Sequence, residues 1–398
     1  MNPTRDSSQR VYLDHAATTP VRPEVRAAME PFLCDEAFGN PSSAHWAGRP
    51  ARAALEEARQ RIASAVAAEP HQVVFTSGGT EADNLAVLGG ALAARSAGRP
   101  FRVAVSAIEH KAVLDAAKVV ERLGGEMVLL PVSATGQVDP GAVDAALERG
   151  VALLSVMWVN NEMGAVQDVA ALAERATAAN IPFHTDAVQA LGKIPCTIAD
   201  APITLLTLSG HKIGAPKGIG ALVVRDKQAL EPLLHGGGQQ EGVRPGTENV
   251  AGAVGLGVAV ELASAERAET EHHTRELRDD LERRIIESVP DARVNGVEGE
   301  RAPHVSSVAI PGTDSNALLM QLDLAGIACS AGSACATGTT APSHVLTAMG
   351  LSDALASASV RFSFAHRSTT RDVDRVLEVL PDAVQQVRTL VASLGDET

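Results

Sequence analysis

Seven short apolar runs, most of them separated by amphipathic stretches, restrict what this chain can become. They are VVFT (73–76), RVAVS (102–106), EMVLLP (126–131), ALLSVMWV (152–159), PFHTDA (182–187), ITLLTL (203–208) and GALVVR (220–225). Each is bounded by turn residues and reads as a buried strand. Helical patterns lie between most of them, such as Glu81 to Ala94, Lys111 to Leu123 and Val169 to Ala179. This alternation predicts an α/β fold, a large domain whose mostly parallel sheet is flanked by helices. Open sheets of that kind bind ligands beyond the carboxyl ends of their strands, so residues just after the runs are the first candidates.

From Val250 the character changes. An Ala-, Glu- and Arg-rich helical stretch runs to about Ser288, followed by strand candidates at 305–310 and 358–364 and a last helix at 371–393. A smaller α+β domain is expected there. With 398 residues the chain suits one large domain and one small one. The expected division is an N-terminal segment (1–20) packing near the small domain, a large cofactor-binding domain (21–258) and a small domain (259–398).

Apolar residues at 45% and charged residues at 21% fit a soluble globular protein. The formal charge of −14, with no run of basic residues, argues against nucleic-acid binding. The start, MNPTRDSSQR, lacks a basic-then-apolar leader, and no apolar run is long enough for a membrane helix. The cysteines, Cys34, Cys196, Cys329 and Cys335, match neither a disulfide framework nor a metal-binding spacing. A reducing cytoplasm and a metal-free site are the expectation.

Several segments after strands carry chemistry. In TLSGHKIGAPKGIG (207–220), Ser209, His211 and Lys212 sit where a strand ends, among glycines that let backbone approach a ligand. Of six lysines only Lys212 lies in a Gly-rich, low-charge loop after a buried strand. A lysine there suits an imine to an aldehyde cofactor; a solvated loop lysine is an even alternative. In PFHTDAVQALGK (182–193), Asp186 ends a strand and Gln189 faces the same way if a helix starts there. Asp186 is placed either to protonate a pyridine ring nitrogen or to cap that helix. FTSGGTEADN (75–84) offers Gly79 and Thr80 at a helix start, a weak phosphate-seat signal by itself. His110 begins another helix, where it could stack on a flat cofactor or merely cap. Cys335, flanked by small residues in ACSAGSACATGTTAPSHVL (328–346), favours a reactive thiol, whereas Cys329 ends an apolar run and suits packing.

Together these segments resemble the cysteine desulfurases of the class-V aminotransferase group, which are fold-type-I pyridoxal-phosphate enzymes. The resemblance runs from YLDHAATTP (12–20) and FGNPSSAH (38–45) through SGHK and RPGTENVAG (244–252) to GSAC and VRFS (360–363). The spacing between Cys335 and Pro342–Ser343 is similar to the branch with a long catalytic loop. The resemblance implies pyridoxal 5'-phosphate as cofactor and L-cysteine as substrate, with alanine and a persulfide on Cys335 as products. It implies that Lys212 holds the cofactor and moves the substrate α-proton, that Asp186 pairs with the ring nitrogen, and that Gln189 bonds the ring oxygen. His110 would stack on the ring, while Thr80, Ser209 and His211 hold the phosphate with the Gly79 backbone. Thr247 would reach that phosphate from the partner of a homodimer, and Asn161 and Arg361 would take the substrate carboxylate. The acceptor is a further protein; an iron–sulfur scaffold, a tRNA-thiolating enzyme and a DNA-phosphorothioation system are all compatible.

Two stretches depart from the family pattern. Ala341-Pro342-Ser343 stands where Glu-Pro-Ser is usual, and RFSFAHRSTT (361–370) where Arg-Phe-Ser-Leu-Gly-Arg is usual. The competing readings are a selenocysteine lyase or small-substrate aminotransferase on the same scaffold, and a non-catalytic interaction protein. An aminotransferase has no use for Cys335. An interaction protein has no need to keep Lys212, Asp186, His110 and Cys335 together.

Overall fold

The computed structural model describes residues 10–199, 201–332 and 342–395. A two-residue strand, β1 (Val11–Tyr12), opens it. The main sheet follows, built from β2 (Val73–Thr76), β3 (Arg102–Ser106), β4 (Glu126–Leu130), β5 (Leu153–Ser155), β6 (Phe183–Asp186), β7 (Leu205–Ser209) and β8 (Gly220–Val224). Their order across the sheet is β2-β8-β7-β6-β5-β3-β4. Only β8 runs antiparallel to its neighbours, so the sheet is mostly parallel as the alternating pattern predicts. Strands β2, β5, β6, β7 and β8 are buried at every residue, which is why they read as unbroken apolar runs.

Helices cover both faces. Gly48–Val66, Val169–Ala178 and Val250–Ala265 pack on one, and the helical segment from Gly79 to Ser96 with Lys111–Arg122 on the other. A π turn at Leu85–Gly89 interrupts the Gly79–Ser96 segment. The remaining strands are β9 (Arg293–Val294), β10 (Val305–Ala309), β11 (Ile327–Ala328), β12 (Ser330–Ala331) and β13 (Ser359–Ser363). An antiparallel sheet runs β12-β13-β10-β9, while β1 pairs in parallel with β11. A second core gathers Val11 and Leu13 with Leu277, Leu281, Phe362, Leu380 and Val384.

Two expected elements are shorter than their patterns. The run 152–159 is a strand only over Leu153–Ser155. Beyond it Asn160 closes a tight turn, its Oδ1 accepting from the N–H groups of Glu162 (2.9 Å) and Met163 (3.0 Å). Residues 156–159 continue alongside β6, the N–H groups of Val156 and Trp158 donating to the carbonyls of His184 (3.1 Å) and Asp186 (2.9 Å), and all but the half-buried Trp158 are buried. The stretch 250–288 is two helices, Val250–Ala265 and Arg267–Ser288, separated at Glu266. Arg22 takes the Glu266 carboxylate with both terminal nitrogens, at 2.8 and 2.7 Å.

Candidate active site

Strands β6 and β7 deliver their last residues, Asp186 and Ser209, to one mouth of the sheet, and the turn after β2 brings Gly78–Thr80 there as well. The cavity they open has a volume of about 600 Å³. Ten residues singled out from the sequence line it: Gly79, Thr80, His110, Asn161, Asp186, Gln189, Ser209, His211, Lys212 and Arg361. Thr247 is exposed and does not line it. Cys335 lies outside the described residues, as does Ala341; the wall nearest that segment is formed by Gly332 and His344.

Lys212 ends a single helical turn, Gly210–Lys212, that follows β7 directly. Its Nζ donates to the carbonyls of Ala16 (2.6 Å) and Ala17 (2.7 Å), so the N-terminal segment forms part of the cavity wall. The His211 ring nitrogen Nδ1 and the Thr18 hydroxyl meet at 3.2 Å. Burial, followed by the charge of Lys212, pushes His211 down to about 4, leaving a neutral ring at physiological pH.

The carboxyl of Asp186 accepts from the Val188 N–H at 2.8 Å. Burial raises its pKa, while that N–H and the nearby His110, Lys212 and Lys193 pull it back down. The following residues form linked turns and no α-helix, so Asp186 is not a helix cap. Gln189 nevertheless reaches the cavity, because the turns carry the chain back toward residue 16. Its Nε2 donates to the Ala16 carbonyl at 2.9 Å, and its Oε1 accepts from Lys193 at 2.7 Å. One amide N–H of Gln189 is left for another acceptor.

His110 fills both roles that its position allows. It caps Lys111–Arg122, Nδ1 accepting from the Ala112 N–H at 3.1 Å, and it lines the cavity. Burial lowers its pKa, and a neutral ring bonded this way carries its proton on Nε2. Arg361 on β13 is 1% exposed and donates to Asp14 Oδ1 (2.7 Å) and to the Asn161 carbonyl (2.8 Å). Those bonds fix a cation at the cavity wall beside Asn161, while Nε is buried without a partner among the described residues.

Sequence reasoning missed four titratable residues here. Asp83 lines the cavity and Glu109 lies behind it; burial holds both carboxyls well above their usual range. Glu162, also lining the cavity, accepts from the Ser343 hydroxyl. Lys193, pushed down to about 7 by burial and by Lys212, bonds Gln189. The only sequence signals were adjacency to His110 for Glu109 and to Asn161 for Glu162, neither of which marks a site. Among the described residues no cluster of three or more His, Cys, Asp or Glu side chains could hold a metal.

The described cysteines divide sharply. Burial pushes the thiols of Cys196 and Cys329 up to about 12, while Cys34 is exposed. Both buried residues are therefore thiols at neutral pH, and a thiolate-selective reagent has little to react with. Iodoacetamide at pH 8 is expected to label Cys34 in the native protein and to spare Cys196 and Cys329. Peptide mass spectrometry that finds Cys329 alkylated at the rate of Cys34 would contradict its packing role.

Comparison with known proteins agrees with this geometry. The aminotransferase class-V family matches residues 11–376. A cysteine desulfurase of Cereibacter sphaeroides is 47% identical, over 96% of this chain and 97% of that protein. The cysteine desulfurase IscS of Dictyoglomus turgidum is 42% identical, over 96% of each. A solved NifS-like protein superposes with a TM-score of 0.87 at 32% identity, covering 94% of this chain and 99% of the other. With the main sheet, the lysine after β7 and the aspartate after β6 in place, the chain belongs to the class-V aminotransferases and, among them, to the pyridoxal-phosphate-dependent cysteine desulfurases.

Proposed function

We propose that this cavity removes sulfur from free L-cysteine and passes it to the thiolate of Cys335, with alanine as the other product. The observation that carries the reading is the convergence on one cavity of Lys212, Asp186, His110 and the Gly79–Thr80 turn from four separate strand ends. The residues fit pyridoxal phosphate. Thr80, Ser209 and His211 offer donors beside the Gly79 backbone, where an added Cβ would stand 3.1 Å from Val188 Cγ2 and 3.4 Å from Ser209 Cβ. Backbone can come close to a phosphate there because no side chain intervenes. The buried carboxyl of Asp186 and the amine of Lys212 line the same cavity. When bound, the cofactor supplies an electron-accepting ring conjugated to the substrate amine.

This chain's own residues do the rest. Asp186 holds a proton at the ring nitrogen, and the neutral face of His110 packs on the ring. Gln189 gives its remaining N–H to the ring oxygen. Arg361 and Asn161 take the substrate carboxylate, which orients the α-carbon toward Lys212. Lys212 accepts the α-proton and later returns a proton. The Cys335 thiolate then attacks the substrate sulfur; a sulfur–sulfur bond forms, the carbon–sulfur bond breaks, and the freed carbon is protonated to alanine.

The finer organisation is also ours to propose. Thr247 contributes to the phosphate seat of a second copy in a homodimer, which suits its exposure at a distance from its own cavity. The division into 1–20, 21–258 and 259–398 stands as a proposal in its order, but the change of packing partner that bears on it falls at Glu266, so residues 259–265 pack with the large domain. Before it, Val250–Ala265 packs on Gly48–Val66; after it, Arg267–Ser288 packs on Thr370–Gly395. No described helix is long and apolar enough to cross a membrane, and the described cysteines are unpaired, which suits a cytoplasmic protein. The sulfur acceptor is a separate protein.

Purified holoprotein is expected to be yellow and, given L-cysteine and a reductant, to release alanine and sulfide in equal amounts. Alanine without sulfide, or a strong preference for selenocysteine, would favour the competing readings. Sedimentation is expected to show a dimer, and a fully active monomer would exclude a role for Thr247 across an interface.

A further inference from the structure

The segment Gly238–Glu248, which ends beside Thr247, is fastened at two points to its own chain, at strand β2 and at the turn and helix start that follow β2 and present Gly79 and Thr80 to the cavity. Gln240 makes the first fastening. It is buried, and its Oε1 accepts from the Phe75 N–H (3.3 Å) and from both terminal nitrogens of Arg59 (3.2 Å each). Strand β2 is an edge of the main sheet, so this side chain takes the place of a neighbouring strand for Phe75. Gln240 and the next residue, Glu241, sit at φ +50° and +56°, left-handed values that residues with a Cβ adopt at a cost. The cost is offset by the bonds that Gln240 makes.

Arg244 makes the second fastening. Its Nε and a terminal nitrogen donate to the two oxygens of Glu81 at 2.7 and 3.2 Å. Glu81 in turn accepts from the Ser77 N–H at 2.7 Å. Although its burial works the other way, the bonds from Arg244 and Ser77 keep the Glu81 carboxyl below its usual range. Ser77 opens the turn that presents Gly79 and Thr80. The turn therefore cannot shift without moving Arg244, and Arg244 lies only three positions from Thr247.

We propose that Gly238–Glu248 is a brace through which filling one protomer's phosphate seat steadies the Thr247 that it presents to the other, so that the two cofactor sites load cooperatively. The proposal rests on the dimer with Thr247 acting across it, as put forward above. Arg244 is a positioning residue in this scheme. Binding of a phosphate by the 77–80 turn fixes a loop whose ordering the second site would otherwise have to supply, and that saving appears as coupling.

The test is titration of the apoprotein dimer with pyridoxal phosphate, read by the visible band and by tryptophan fluorescence. Wild type is expected to load sigmoidally, with a Hill coefficient above one. Arg244→Met should load hyperbolically and roughly tenfold more weakly, the scale of losing a charged hydrogen bond. Arg244→Lys, which keeps the charge but not the fork, should recover part of both, and it serves if the methionine variant folds poorly. Hyperbolic loading of a wild-type dimer, or Arg244→Met loading like wild type, overturns the brace. Thr247→Ala separates the two levels. A monomeric protein, or a Thr247→Ala dimer that loads like wild type, removes the dimer reading and the brace with it. Weakened loading by Thr247→Ala beside hyperbolic wild-type loading removes the brace alone.

Discussion

Replacing Lys212 by alanine is expected to abolish alanine production from L-cysteine, a loss of ~10³-fold or more, while the protein still folds and still takes up some pyridoxal phosphate. The residual uptake follows from the separation of functions across the cavity. Thr80, Ser209 and His211 do not depend on the lysine, whereas proton transfer at the substrate α-carbon is the part given to Lys212; Lys111 and Lys217 also line the cavity, and Lys193 stands close enough to feel the charge of Lys212. Lys193 is already committed to Gln189 at 2.7 Å. The variant also takes a donor from the carbonyls of Ala16 and Ala17; Ala16 keeps Gln189, so the cost, about 1–3 kcal/mol of stability if water does not replace the amine, falls on Ala17. A Lys212→Ala protein that desulfurates at the wild-type rate would remove the assignment of this cavity altogether.

Cys335→Ala separates the two halves of the chemistry. The variant is expected to stay yellow and to show a spectral change on adding L-cysteine, because the groups that bind substrate are untouched. Alanine output should fall by about 10²-fold or more, since nothing remains to attack the substrate sulfur. No protein-bound persulfide should form. Cys329→Ala should behave nearly as wild type: its thiol is pushed up to about 12 by burial, which leaves almost no thiolate to act as nucleophile. Mass spectrometry after a pulse of L-cysteine should place the extra sulfur on Cys335. Sulfur found on Cys329, or normal alanine output from Cys335→Ala, would overturn the role of Cys335 and leave the cofactor assignment standing.

Much of this was legible in the residues because the main sheet is buried on both faces. Strands such as Leu205–Ser209 carry no alternation to confuse with a helix, and the glycines after them mark where backbone must approach something closely. Legibility failed where local pattern and tertiary position part company. Residues 156–159 are as apolar as a strand and still bond β6, yet regular pairing stops at Ser155, just ahead of the Asn160 turn, and no propensity scale registers that turn's hydrogen bonds. Gln189 lines the cavity by a route that the sequence did not offer, since linked turns and not a helix bring it there. Asp83, Glu109 and Lys193 were invisible because each looks like an ordinary surface charge in the sequence. Only burial, which the chain supplies from distant segments, changes what they are.

The stitching of the N-terminal segment to late parts of the chain bears on how the protein is made. Asp14 bonds Arg361 and the Ala16 N–H bonds Ser363, each across 347 positions of sequence. Among the described residues, β1 pairs only with Ile327–Ala328. During vectorial synthesis the main sheet has all seven strands by Val224, yet the segment that supplies its carbonyls to Lys212 waits for residues translated long afterwards. Contacts of such sequence separation are slow to form, and the intermediate that precedes them exposes apolar surface. A nascent chain of this kind is a natural client for a chaperone. Its cofactor pocket is completed only after Arg361 has been made, well after the last strand of the main sheet, so that sheet alone does not offer a finished site.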